Sequence, residues 1–111
     1  MRFLNLFTPA RFANPNPALN AEMAKLIEQE TKAGSLLANG GFQPSPKDLR
    51  VRNSKGQLTV TDGPYTEAKE VVGGFAVIEA KSRDEAIEMA KRFLRIAGDG
   101  EVEIHQLMDG P

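Results

Sequence analysis

The chain has 111 residues and a mass of 12.1 kDa, with 41% hydrophobic and 26% charged residues, the balance expected of one folded, water-soluble domain spanning residues 1–111. Its 14 basic and 15 acidic residues give a formal net charge of -1, so there is no general positive field to hold nucleic acid or an acidic membrane. Cysteine is absent, which excludes disulfides, thiolate metal sites and a cysteine nucleophile.

The N-terminal stretch MRFLNLFTPARF is too short and interrupted for a signal peptide, and no apolar run approaches the roughly 20 residues that span a bilayer. The expected location is therefore cytoplasmic. Residues 1–8 read as a first strand, apolar on both faces through Phe3, Leu4, Leu6 and Phe7, and Pro9 ends it. A loop rich in proline and asparagine follows, to Pro17. From Ala18 the pattern turns helical, with Leu19, Met23, Leu26, Ile27 and Glu30 on one stripe that is apolar until its last member. Gly34 is the expected stop.

Residues 35–38 predict a short strand that can extend to Phe42. Leu49-Arg-Val-Arg and Gln57-Leu-Thr-Val-Thr flank the turn residues Asn53-Ser-Lys-Gly, which predicts a β-hairpin with Leu49, Val51, Leu58 and Val60 on a covered face. Asp62-Gly-Pro is a turn. Residues 73–80 form another strand. Ser82 and Glu85 predict a capping box for a second helix, with Ala86, Ile87, Ala90, Phe93, Leu94 and Ala97 on its apolar side. Residues 101–108 form the last strand. This order is β-α-β-β-α-β with an inserted hairpin: an α+β, ferredoxin-like sheet with two helices on one face.

Alternation along the strands sorts the side chains into two sets. Leu4, Leu6, Ala76, Ile78, Val102 and Ile104 are expected under the helices. Phe3, Phe7 and Phe75 then share the opposite face with Asn5, Glu79, Glu103 and His105. Each phenylalanine is worth about 1.5–3 kcal/mol when buried, so a second copy of the chain is expected to cover that face. A thin core in so short a chain also favours pairing. An apolar cleft with a few polar groups is a reasonable ligand site.

The segment Thr59-Val-Thr-Asp-Gly-Pro-Tyr-Thr-Glu-Ala-Lys-Glu-Val-Val-Gly-Gly-Phe75 resembles the diagnostic stretch of the YCII-related family, in its DGPF-type subgroup. Gly41-Phe-Gln-Pro-Ser45, Ser82-Arg-Asp-Glu-Ala-Ile-Glu88 and Val102-Glu-Ile104 are similar to further family segments, so the resemblance runs from about Gly34 to the end. It implies a homodimer closed as a dimeric α/β barrel, in a superfamily holding small-molecule isomerases, lyases and oxygenases beside members with no assigned activity. Some relatives carry a His/Asp pair with the histidine near the start of the first helix. Here the single histidine is His105, and Tyr65 stands where the motif usually shows phenylalanine.

Asp62 and His105 are the candidate catalytic residues. A carboxylate beside an apolar cleft can take a proton, and imidazole titrates near neutrality. The competing reading makes Asp62 a turn residue bonded to backbone N–H groups and His105 a structural histidine. Glu103 shares a strand face with His105 and would orient it. Asn5, Tyr65, Glu67, Lys69 and Glu103 are the candidate ligand-binding residues, with Lys69 suited to an anionic group; Lys69 and Glu70 equally suit a solvated loop. Gly73 and Gly74 fit close strand packing, since no phosphate-loop pattern occurs. No cofactor and no metal site are expected, because a site from Glu79, Glu103 and His105 would have one histidine and no thiolate. Two functions compete: an isomerase or lyase using Asp/His proton transfer on a small molecule, and a non-catalytic dimer that senses a small ligand or binds a protein.

Overall fold

The computed structural model describes residues 1–10, 17–42, 49–62 and 72–109. Its elements are β1 (Arg2–Pro9), α1 (Pro17–Lys32), β2 (Leu36–Gly41), β3 (Leu49–Ser54), β4 (Gln57–Asp62), β5 (Gly74–Glu79), α2 (Arg83–Ala97) and β6 (Gly100–Gln106). Strands β2, β5, β1 and β6 lie in that order in one antiparallel sheet, and β3 and β4 pair in a second, two-stranded sheet. With the hairpin set aside, this is the ferredoxin-like topology that the sequence predicts.

Local chemistry fixes the helix ends. The Ser82 hydroxyl caps α2 by accepting a hydrogen bond from the Glu85 N–H at 3.1 Å, and Asp84 and Glu85 stand in the first turn, where the helix dipole favours negative charge. At the end of α1, the Gly34 N–H bonds to the Thr31 carbonyl (3.1 Å) and the Ser35 N–H to the Glu30 carbonyl (2.9 Å). This paired 5→2 and 6→1 arrangement requires a left-handed residue, supplied by Gly34 at φ 80°. It also locks the last turn of α1, and with it Glu30, against β2.

The core lies between the sheet and the helices. Phe3, Leu36, Ile78, Ala80, Ala86 and Met89 are buried there, with Ile27, Ala76 and Ile104 packed against them. The expected sorting therefore holds for β5 and β6 and reverses on β1. Phe3 pairs with Ile78 and Asn5 with Ala76 and Ile104, so Phe3, Asn5 and Phe7 face the helices. Leu4 and Leu6 lie on the open face, beside Val77 and Phe75 on one side and His105 and Glu103 on the other. The reason is space: the Phe7 ring meets Phe93 of α2 edge-on, with centroids 5.0 Å apart, and Phe3 fills the core at 2% exposure. In α2, Met89 takes a buried position that the sequence reading omitted, while Ile87 sits at the rim, 40% exposed.

The hairpin forms with a two-residue turn in which Lys55 (φ 52°) and Gly56 (φ 81°) are both left-handed, the geometry that matches strand twist. Leu49, Val51, Leu58 and Val60 share one face as expected. Among the described residues nothing covers that face: the four side chains are 68–72% exposed. Gly74 serves close strand packing, since a Cβ there would stand 3.0 Å from the Gly40 carbonyl oxygen. No helix among the described residues is long and apolar enough to cross a membrane.

Candidate functional site

A cavity of about 150 Å³ lies between the sheet and the two helices. Three elements build it. Helix α1 contributes Met23, Leu26, Ile27 and Glu30, the i, i+3, i+4, i+7 stripe seen in the sequence. Helix α2 contributes Met89, Ala90 and Phe93. The sheet floor includes Asn5 and Phe7 of β1, Ala76 and Ile78 of β5, and Val102 of β6. The space exists because the floor and roof carry short side chains at Ala76 and Ala90, where larger ones would close it.

Two polar atoms stand out against this apolar lining. Asn5 Oδ1 and Glu30 Oε1 are both buried and both without a hydrogen-bond partner. Unpaired buried polar atoms are costly, and native interiors normally satisfy them by protein, water or ligand. The Glu30 side chain is 17% exposed, and its Oε1 lies 3.8 Å from Arg92 Nη2 of α2. That distance permits attraction but is too long for a hydrogen bond. Burial raises the Glu30 pKa above 4.5, and the Arg92 charge partly opposes the rise. Glu30 is thus a carboxyl beside a cavity, with its protonated form favoured by burial.

The sequence-predicted site residues fall in different places. Asn5 does line a cavity, on the helix side of the sheet rather than beside His105 and Glu103. His105 and Glu103 are on the open face, where His105 Nε2 lies 3.1 Å from Glu103 Oε2, both side chains exposed. Asp62 ends β4 opposite Leu49, on the apolar face of the hairpin, and is exposed. Among the described residues no hydrogen bond or ion pair joins Asp62 to His105. Tyr65, Glu67 and Lys69 lie outside the described residues, as does most of the Asp-Gly-Pro segment. Glu79 bonds instead to Arg2 Nε (3.2 Å), and no group of three or more metal-ligating side chains occurs among the described residues. The residue that sequence reasoning passed over is Glu30. Its signal was present: a carboxylate ending an otherwise apolar helical stripe is a charge directed toward the core.

The YCII-related domain model matches residues 1–109 of the chain. The protein belongs to the YCII-related family. A curated relative, an uncharacterised protein of Rhizobium meliloti, is 36% identical over 73 residues, which are 66% of this chain and 56% of that protein. The match thus spans little more than half the length of that relative. Among solved structures, 5-chloro-2-hydroxyhydroquinone dehydrochlorinase from Burkholderia phenoliruptrix, in complex with 2,5-dihydroxybenzoquinone, superposes with a TM-score of 0.53. It covers 99% of this chain and 96% of its own at 17% identity, a likeness of fold. This YCII-related protein therefore shares its chain topology with an enzyme.

Proposed function

We propose that this YCII-related protein is a small-molecule enzyme that binds an organic ligand in the cavity between sheet and helices and moves a proton on it, in an isomerisation or an elimination. The observation that carries the reading is the pairing of an apolar cavity with two unsatisfied polar atoms, one on a carboxyl whose pKa burial raises. The fold shared with a dehydrochlorinase of a hydroxylated ring is in keeping with it, as an analogy of fold. The subgroup is the DGPF type and the setting cytoplasmic.

The test is a panel of hydroxylated quinones and phenols, 2,5-dihydroxybenzoquinone included. Binding is followed through the Ala76 and Ala90 methyl resonances and turnover through absorbance. Perturbed methyls, and turnover abolished by Ala90→Leu in a folded protein, support the cavity. A panel that binds while leaving both methyls unmoved sinks it. Binding at the cavity with no turnover by any member instead makes the protein a ligand sensor.

A second reading rests on the open face. The 3.1 Å His105–Glu103 contact stands beside half-buried Leu4, Leu6, Phe75 and Val77, which neither described helix covers. In this reading a second copy covers that face and the hairpin's apolar face, closing a dimeric α/β barrel. Asp62 enters the covered space from the hairpin, His105 shuttles the proton, and Tyr65, Glu67 and Lys69 hold the substrate. An isolated hairpin with one apolar face is marginal in water, which favours such a cover. Turnover lost in Asp62→Asn and His105→Ala but kept in Ala90→Leu would move the chemistry to this face.

A further inference from the structure

Resting on the cavity as the ligand site, we propose that Glu30 and Asn5 form a two-point polar clamp selecting an uncharged, hydroxyl-bearing ring, whose O–H donates to Glu30 Oε1. The volume sets the size: an apolar cavity of about 150 Å³ in a protein interior is enough for benzene, and this one is about 150 Å³. Phe7 and Phe93, already edge to face at 5.0 Å, provide aromatic walls for a flat ring.

The polar atoms set the chemistry. Glu30 Oε1 and Asn5 Oδ1 are acceptors in search of donors. The Asn5 amide, turned by half a rotation, offers a donor instead, so it suits a hydroxyl, which both gives and takes a hydrogen bond. A carboxylate ligand supplies no donor and would meet the Glu30 charge. Arg92 approaches Glu30 from α2 at 3.8 Å, and the sheet residues facing the cavity are apolar, glycine or asparagine. Arg92 favours the ionised carboxyl, and the ligand O–H completes what Arg92 is too distant to supply.

The experiment measures benzene, phenol and benzoate binding by the full chain, followed at the Ala76 and Ala90 methyls. Phenol is expected to bind about tenfold more tightly than benzene, the worth of one hydrogen bond to a charged group, and benzoate more weakly than either. Glu30→Leu should reduce phenol to the level of benzene without weakening benzene. Lowering the pH through the Glu30 titration should weaken phenol and leave benzene unchanged, with no such trend in Glu30→Gln. Should Glu30→Leu fail to fold, the phenol–benzene gap and its pH dependence in the native chain decide. Equal binding of phenol and benzene, or benzoate equal to phenol, overturns the clamp while leaving the cavity as a ligand site. Binding of none of the three overturns the clamp and the cavity reading together.

Discussion

The two faces of the central sheet solve the same problem differently. The helix side buries Phe3, Ile78 and Met89 to 4% exposure or less and, among the described residues, holds two unpaired buried polar atoms, on Asn5 and Glu30, which line a cavity. The open side carries Leu4, Leu6, Val77 and Phe75 beside exposed His105 and Glu103, and the hairpin carries four aliphatic side chains that are 68–72% exposed. One side of the sheet is therefore a packed core and the other an apolar surface left open by the described residues. Stability should reside on the first side, and sensitivity to a binding partner on the second.

Truncations test that division most strongly. Phe3→Ala should cost about 3–5 kcal/mol in chemical denaturation, since it removes the bulkiest of the fully buried side chains described. A loss below about 1 kcal/mol would mean that the helix side is not the stabilising one. Gly34→Ala should cost about 1–2 kcal/mol, because alanine must adopt the left-handed geometry that closes α1. Ser82→Ala should cost about 0.5–2 kcal/mol through the lost cap on α2.

The pH dependence of stability sharpens the contrast. The folded pKa of Glu30 is raised, so folding favours its protonated form. Its contribution to stability is whole below the unfolded value of 4.5, is lost as pH rises through the folded pKa, and stays lost above it. Glu30→Gln should therefore gain stability relative to the native protein across that window and hold the gain at higher pH. Parallel curves for the two proteins would remove Glu30 from the buried set. The smallest effects belong to the open side. Val60→Ala and His105→Ala should change unfolding free energy by no more than about 0.5 kcal/mol at dilution where the chain is monomeric. Val60→Asp should weaken any self-association seen by sedimentation. An unchanged association constant would show that the hairpin's apolar face is not the contact.

Much of the architecture is legible in the residues. The capped second helix, the Lys55-Gly56 turn, the glycine stop at Gly34 and the strand order follow from local propensity and spacing. The faces of β5 and β6 follow too, because Glu79, Glu103 and His105 mark the solvent side. Strand β1 offers no such marker: Phe3, Leu4, Leu6 and Phe7 are all apolar, so alternation gives two equivalent answers. Asn5 misled, because a polar residue between apolar ones suggests a wet face, and here it points into the cavity under the helices.

The sequence by itself determined which segments become helices and strands, where they stop, and that two helices and a four-stranded sheet must share one core. Those outcomes rest on interactions a few residues apart and on the period of the side chains. Only the tertiary structure decided which face of β1 turns inward, that Met89 displaces Ile87 from the core, and that Asn5 and Glu30 meet one cavity. Those depend on volumes contributed by elements far apart in the chain. Close packing admits the Phe3 and Phe7 rings on one side of the sheet, where α2 brings Phe93 to meet them.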